Sequence, residues 1–237
     1  MKKAFVSVVL ALFSASVLFA ADGDAKAEVK AAAKKLGEKP NYSWTSTPKI
    51  EGGGGGGNFR LGPTDGQIEK DGITYLKMSF ADRTIFAASK GDKVAVKSED
   101  LWEAGEDVEG NGQFMVRRMK TFKAPALEAA DLADNAKSLK KADGVISGDL
   151  TEESVKELLT FRRPNADSNR PAPKEAKGSV KFWVKDGELT HYEFQVQGKV
   201  TGRDDQENEI NRTTKVEIKD AGKTKLTLPE EAKKKLS

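Results

Sequence analysis

The sequence predicts an α+β fold, in which an antiparallel sheet is strongly curved and helices cover its concave face. Three observations predict it. Segments that alternate between apolar and polar residues occupy both ends of the chain, turn-forming pairs separate them, and the middle of the chain changes to helical spacing. About eight or nine strands with one apolar face would curl strongly, because strands twist.

The first hundred residues predict one helix followed by a meander of strands. Apolar residues from Ala25 to Leu36 recur at helical spacing, and Gly37 follows as a C-terminal stop. A short strand is expected around Tyr42 to Ser46. Four more strands are predicted, separated by pairs such as Asp71-Gly72: Phe59 to Leu61, Ile73 to Phe80, Thr84 to Ala88 and Lys93 to Lys97.

The middle of the chain predicts three helices. The first carries Met115, Met119 and Phe122, and Pro125 opens a second that carries Leu132, Ala136 and Leu139. Thr151 caps a third, which contains Val155, Leu158 and Leu159. Prolines among polar residues then predict an exposed loop from Arg162 to Ala176.

The strongest local signal is a hairpin between Gly178 and Gly198. Two alternating runs are joined by Asp186-Gly187, a pair suited to a tight hairpin turn. The apolar side chains share one face of the hairpin, whereas Trp183 and His191 fall on the opposite, polar face. Further strands are expected from Ile210 to Ile218 and from Lys225 to Leu228, and Pro229 opens a final helix.

The N-terminus has the layout of a secretory signal peptide, with two lysines, an apolar stretch and small residues. We therefore expect residues 1–20 to be a signal peptide and residues 21–237 to form a single domain. The mature protein is expected to be exported, to be soluble after cleavage and to reside in the periplasm or cell envelope.

Composition excludes several classes of function. The chain has no cysteine, so disulfides, thiolate metal sites and a lipid-bearing cysteine are excluded. Without the two leader lysines, 38 basic residues face 37 acidic ones, so the net charge falls from +3 to +1. Such a balance gives no field that would favour nucleic acid as a partner.

No motif in the sequence indicates catalysis, a cofactor or a metal. The run Gly52 to Gly57 lacks the Lys-Ser or Lys-Thr ending and the helix that a phosphate loop needs. His191 is the single histidine, too few for a zinc site without cysteine. The acidic stretch from Gly202 to Glu209 does not have EF-hand spacing and is interpreted as a hairpin tip. We predict a protein that is not an enzyme and has no cofactor.

Three phrases and the order of elements resemble the outer-membrane lipoprotein carrier (LolA-like) superfamily and its mycobacterial lipid-carrier relatives. The phrases are Asn41 to Thr47, Tyr75 to Phe80 and Val180 to Gly187. The resemblance covers nearly the whole mature chain. It implies a curved, incomplete antiparallel barrel, helices at its mouth and an apolar cavity that holds acyl chains. It implies no catalysis.

The leading hypothesis is a carrier that binds a lipid or acylated ligand between sheet and helices. Its expected cavity wall consists of apolar residues in phase on the strands: Leu76, Met78, Phe80, Phe182, Val184, Tyr192, Phe194 and Val196. The basic amphipathic segment around Arg117, Arg118 and Lys120 gives two alternatives: transient contact with a membrane or envelope protein, or packing on its own sheet.

Two other classes compete with the carrier hypothesis. In an interaction module of the cell envelope, the same apolar residues would simply fill the core. A hydrolase with an unrecognised carboxylate pair would instead require a polar cleft that contains acids with perturbed pKa values.

Overall fold

The computed structural model describes residues 22–51, 61–80, 83–98, 100–110, 112–160, 171–202 and 205–237. The strands are β1 (Asn41–Glu51), β2 (Leu61–Glu69), β3 (Ile73–Phe80), β4 (Arg83–Lys90), β5 (Lys93–Ser98), β6 (Leu101–Ala104), β7 (Lys140–Ala142), β8 (Val145–Asp149), β9 (Lys174–Lys185), β10 (Glu188–Thr201) and β11 (Glu207–Lys219). The helices are α1 (Asp22–Gly37), α2 (Gly112–Lys120), α3 (Pro125–Asp134), α4 (Glu152–Leu159) and α5 (Glu230–Lys235).

The eleven strands of the described residues belong to one antiparallel sheet with the order β6-β5-β4-β3-β2-β1-β11-β10-β9-β8-β7. The end strands β6 and β7 do not pair with each other, so the sheet is not closed into a barrel. The chain starts in the middle of the sheet, runs outward to β6 and returns inward from β7 to β11. The connection from one edge to the other must cross a face of the sheet, and α2 and α3 form that connection.

The two faces of the sheet are covered differently. One face, here called the helix face, packs against α1, α2 and α4 and carries the main core. On the opposite, outer face, Ala88, Ala95 and Trp102 pack against Leu228 and the helix α5 in a smaller core. The α+β class is confirmed. Four helices lie on the helix-face side, but α5 lies on the outer face, which the sequence did not predict.

Small side chains let α1 and α3 pack closely. Ala25, Val29 and Ala32 on α1 are at most 1% exposed, and Ala129 and Ala133 on α3 are fully buried. The two helices make the most extensive helix-to-helix contact in the described chain. The predicted helix from Ala25 to Leu36 is confirmed within these bounds.

The predicted hairpin is confirmed as β9 and β10. Asp186 and Gly187 have φ angles of 53° and 72°, which is the left-handed conformation that a tight two-residue turn requires. Trp183 and His191 pair across the strands and stack with ring centroids 4.1 Å apart. Their position on the outer face agrees with the sequence prediction.

Several strands were not predicted, or were predicted only in part. The strand expected at Phe59 to Leu61 is instead β2, which continues from Leu61 to Glu69; Phe59 itself lies outside the described residues. This strand is hard to recognise in the sequence because it contains Gly62, Pro63 and Gly66. Glycine and proline are both uncommon inside strands. The short strands β6, β7 and β8 are likewise additional to the prediction.

Four predicted boundaries were wrong. Helix α2 ends at Lys120, so Phe122, which was predicted on this helix, lies in the segment after it. Helix α3 ends at Asp134 instead of continuing to Leu139, because Ala136 forms a β-bridge with Leu150. The segment around Leu228 is no strand, since it packs across the outer face. Strand β9 begins at Lys174, inside the loop predicted up to Ala176.

Three predictions concern residues outside the described part of the chain. They are the signal peptide at 1–20, the glycine run at 52–57 and most of the loop predicted from Arg162. Within the described chain, none of the helices is long and apolar enough to span a membrane.

Candidate functional site

An open cleft of about 460 Å³ lies between the sheet and the segment that joins α2 to α3. Strands β2, β3 and β4 and the β4–β5 turn form one side, and α2, the connecting segment and α3 form the other. Its lining residues are Ile68, Thr74, Ser89, Gly91, Asp92, Met119, Lys120, Phe122, Ala124 and Leu127.

The sheet side of the cleft is a row of three cross-strand neighbours. Ile68 pairs with Thr74, and Thr74 pairs with Ser89, on three adjacent strands. All three side chains point to the helix face, because side chains alternate along a strand and Leu76 and Ala87 point to it. Thr74 is only 6% exposed. No hydrogen bond joins its hydroxyl, or that of Ser89, to any residue that the structure describes.

The helix side of the cleft is mainly apolar. Met119 is buried, whereas Leu127 at the start of α3 keeps 63% of its surface exposed. Phe122 stacks against the buried Trp44, with ring centroids 5.7 Å apart and planes 14° apart. Lys120 and Asp92 bring opposite charges to the rim, and no ion pair joins them in the described chain. The cleft therefore has an apolar wall, a hydroxyl-bearing floor and a charged rim.

The eight residues predicted to line a cavity all lie on the helix face of the sheet, but none of them lines this cleft. Six of them are at most 5% exposed: Leu76, Met78, Phe182, Tyr192, Phe194 and Val196. Phe80 and Val184 are partly buried and pack against the same core. The structure brings the eight together as a packed apolar face beneath the helices.

A partly buried charged cluster lies beneath α3 and was not predicted from the sequence. The hydroxyl of Tyr192 donates a hydrogen bond of 2.6 Å to Oε2 of Glu128. Arg212, only 7% exposed, donates from Nη2 to the carbonyl of Leu158 at 2.9 Å. Arg118 interacts electrostatically with Glu128 and with Arg212. The cluster connects α2, α3 and α4 to β10 and β11.

Burial dominates the titration of this cluster. It raises the pKa of Glu128, although the hydrogen bond from Tyr192 and the positive charges of Lys123 and Arg212 oppose the shift. Burial and repulsion from Arg118 lower the pKa of Arg212 to about 10, so this guanidinium stays charged at neutral pH. The pKa of Tyr192 is raised well above its usual value, so its hydroxyl remains a donor.

We expect the variant Glu128→Gln to gain stability relative to the wild type as the pH rises. Because the pKa of Glu128 is raised in the folded state, the folded protein binds the proton more tightly than the unfolded chain does. The resulting stabilisation is present below the usual pKa of 4.5 and is lost as the pH rises through the folded-state value. Glutamine does not titrate. Urea unfolding of both proteins at several pH values measures the difference.

The matched control is Glu152→Gln, for which the opposite trend is expected. A hydrogen bond and the charge of Lys156 lower the pKa of Glu152, so its ionised form stabilises the folded state above the usual pKa of 4.5. That contribution is lost as the pH falls through the folded-state value. If both variants showed the same trend, the assigned direction for Glu128 would be wrong.

Only a weak signal in the sequence could have revealed these polar residues. Thr74 and Ser89 occupy positions of β3 and β4 where alternation calls for apolar residues, and Arg212 does so in β11. A polar residue in an apolar phase signals an internal polar site. The partners, however, come from distant parts of the chain.

The described residues contain no cluster of three or more histidine or acidic side chains with metal-binding geometry. The perturbed acid Glu128 is not among the residues that line the cleft.

No protein-family model and no curated protein matches the chain. Among solved structures, lipoprotein LppX of Mycobacterium tuberculosis is similar, with 12% identity and a TM-score of 0.48 over 87% of this chain and 100% of the other. LprF of Mycobacterium bovis has 8% identity and a TM-score of 0.48 over 90% and 99% of the two chains. The LolA superfamily protein NE2245 of Nitrosomonas europaea has 9% identity and a TM-score of 0.31 over 85% and 94%.

At these identities and TM-scores, the similarity says nothing about the ligand or partner of this chain. The fold is assigned from the strand order and the helices of this chain alone. This open antiparallel sheet with helices across one face agrees with the fold class that the sequence predicted.

Proposed function

We propose that this chain is a non-enzymatic binding protein that holds an amphiphile, either a lipid or an acylated ligand, between its sheet and its helices. The observation that carries the proposal is the open cleft of about 460 Å³ at one end of the helix face. In the same proposal, residues 1–20 direct export to the periplasm or cell envelope. Contact with a membrane or an envelope protein would be transient.

The size and chemistry of the cleft support an apolar ligand. Ligand pockets commonly measure about 300–1,000 Å³ and combine apolar walls with a few polar groups. Met119, Phe122 and Leu127 supply the apolar wall here. Leu127 is 63% exposed, and an acyl chain against it would cover this surface. Each buried CH₂ group contributes about 0.8 kcal/mol.

The eight predicted wall residues support a deeper continuation of the site. Thr74, Leu76 and Met78 follow one another on the same face of β3, so the apolar face runs inward from the cleft. In this proposal the cleft is the entrance. The packed face behind it becomes the wall if the helices separate from the sheet to admit a longer chain.

We expect Leu127→Asp to weaken binding of a dansylated undecanoic acid probe by about tenfold, because burying a leucine against a ligand contributes roughly 1.5–3 kcal/mol. The added carboxylate would also oppose an apolar chain in the cleft. Dansyl fluorescence measures binding, and tryptophan emission, to which Trp44 beside Phe122 contributes, gives a second readout.

The matched control is Leu101→Asp, since Leu101 is 71% exposed on the edge strand β6 and does not line the cleft. Its affinity for the probe should equal that of the wild type. An equal loss in both variants, or no binding by the wild type, would contradict the proposal. Mass spectrometry of the protein purified from its natural host would identify a retained lipid and the N-terminus after export.

A second candidate function is an interaction module of the cell envelope. One specific observation favours it: six of the eight predicted wall residues are already buried in a contiguous core. A wild-type protein that neither retains lipid nor binds the probe would support this candidate over the carrier.

A further inference from the structure

We infer that the hydroxyls of Thr74 and Ser89 recognise the polar end of the ligand, and that this end is a hydrogen-bond acceptor such as the carboxylate of a single-chain fatty acid. The inference rests on the proposed function and specifies the ligand class. Its basis is Thr74, which is 94% buried and lines the cleft, and whose hydroxyl has no hydrogen-bond partner among the described residues.

The geometry places the two hydroxyl-bearing residues side by side. Thr74 and Ser89 are directly paired across β3 and β4, and both point into the cleft. Cβ atoms of directly opposed residues in such a pair lie about 4.5–5.5 Å apart. The two hydroxyls do not bond to each other in the structure. A carboxylate has two acceptor oxygens and can take one hydrogen bond from each hydroxyl.

Energetics favour filling this site with an acceptor. Among the described residues, the fully buried side-chain polar atom without a partner is Oδ1 of Asn41, so water in the open cleft reaches the hydroxyl of Thr74. A ligand that displaces this water and offers no acceptor would leave the hydroxyl unpaired, which costs free energy. A purely apolar lining would serve an acyl chain better at this position, as Ala87 and Leu76 do one step further along the same strands. A ligand that offers acceptor oxygens to both hydroxyls therefore avoids a cost that a purely apolar ligand would incur at this position.

The charged residues at the rim of the cleft affect which charge the polar end of the ligand can carry. The ammonium of Lys120 attracts an anionic end group, whereas the carboxylate of Asp92 repels it. The two do not form an ion pair in the described chain. Because both lie at the rim, solvent screens them, and the hydroxyl pair contributes more to recognition.

The test compares two probes that share one chain length: dodecanoate, which accepts hydrogen bonds, and dodecyltrimethylammonium, which cannot. Both are titrated into the wild type and the double variant Thr74→Val/Ser89→Ala by calorimetry below their micellar concentrations. We expect the double variant to bind dodecanoate about tenfold more weakly, as for lost hydrogen bonds to a charged group. Its affinity for dodecyltrimethylammonium should be unchanged.

Two further variants sharpen the test. Ser89→Ala alone removes the half-buried hydroxyl, so it keeps the measurement available if valine at position 74 disturbs folding. Asp92→Asn should strengthen dodecanoate binding by about twofold, because it removes a screened repulsion at the rim. Circular dichroism and thermal unfolding check that each variant is folded.

The outcomes separate this inference from the proposed function. If the wild type binds both probes and the double variant loses affinity for both equally, the hydroxyls are only structural and the inference fails while the binding function stands. If the wild type binds neither probe, both fail. A loss confined to dodecanoate supports both.

Discussion

Replacing Gly66 with alanine should destabilise the fold by about 3 kcal/mol, a large value for a single added methyl group. A Cβ atom at this position would lie 2.1 Å from Cζ2 and 2.2 Å from Cε2 of the Trp44 indole. Trp44 lies on the neighbouring strand β1, directly opposite Gly66, and is 3% exposed. The absence of a side chain on β2 is what makes room for the indole.

The indole cannot move aside cheaply. Phe122 stacks against it, and Tyr42 packs beside it with ring centroids 5.7 Å apart. Urea denaturation measures the stability. The double-mutant cycle with Trp44→Leu tests the cause, because Gly66→Ala should cost much less once the indole is gone.

Gly37→Ala is the matched control for Gly66→Ala. Its added Cβ would make an ordinary contact of 3.6 Å with Ala126, so stability should change little. An equal cost at both positions, or an unchanged cost of Gly66→Ala beside Trp44→Leu, would contradict the steric explanation. Because Phe122 lines the cleft, the Gly66→Ala variant should also bind the dansylated probe more weakly.

Replacing Arg212 with methionine should cost about 3 kcal/mol, the lower end of the range for breaking a buried charged pair. Methionine keeps much of the apolar volume, so the lost interactions dominate. The carbonyl of Leu158 loses the donor that is 2.9 Å away, and the carboxylate of Glu128 loses a neighbouring positive charge. Relief of the repulsion between Arg212 and Arg118 offsets part of the loss.

The charged cluster predicts which substitution restores stability. In the background of Glu128→Gln, Arg212→Met should cost less, because no buried carboxylate is then left with fewer partners. Lys215→Met is the control, since Lys215 lies on the same strand with a half-exposed side chain and pairs with Glu217. Surface pairs of this kind contribute about 0–1 kcal/mol. Equal costs for Arg212→Met and Lys215→Met would contradict the assigned role of the cluster.

Local patterns in the sequence were sufficient for the elements that local chemistry specifies. The β9–β10 hairpin is such a case, because alternation fixes the faces and Asp186-Gly187 fixes the turn. The cap of α4 is another: the Thr151 side chain accepts a hydrogen bond from the backbone nitrogen of Ser154. In both, the deciding residues lie within a few positions of one another.

The short strands β7 and β8, at one end of the sheet, could not be predicted in this way. Strand β7 has three residues and β8 has five, so neither holds a period long enough to recognise. They exist because β8 pairs with β9, whose Trp183 and Phe182 lie about 37 positions later in the chain. Likewise, Ala136 leaves the predicted helix to bridge Leu150.

The sequence by itself determined the fold class, the apolar face of nearly every long strand and the membership of the eight predicted wall residues in one face, since side-chain alternation is a property of the strand alone. Only the tertiary structure determined where the open cleft lies. The chain crosses the sheet between its two edge strands, and this crossing brings the α2–α3 connection over Thr74 and Ser89 and sets Glu128 against Tyr192, 64 positions away. Such contacts depend on the order of strands in the sheet, which no local pattern encodes.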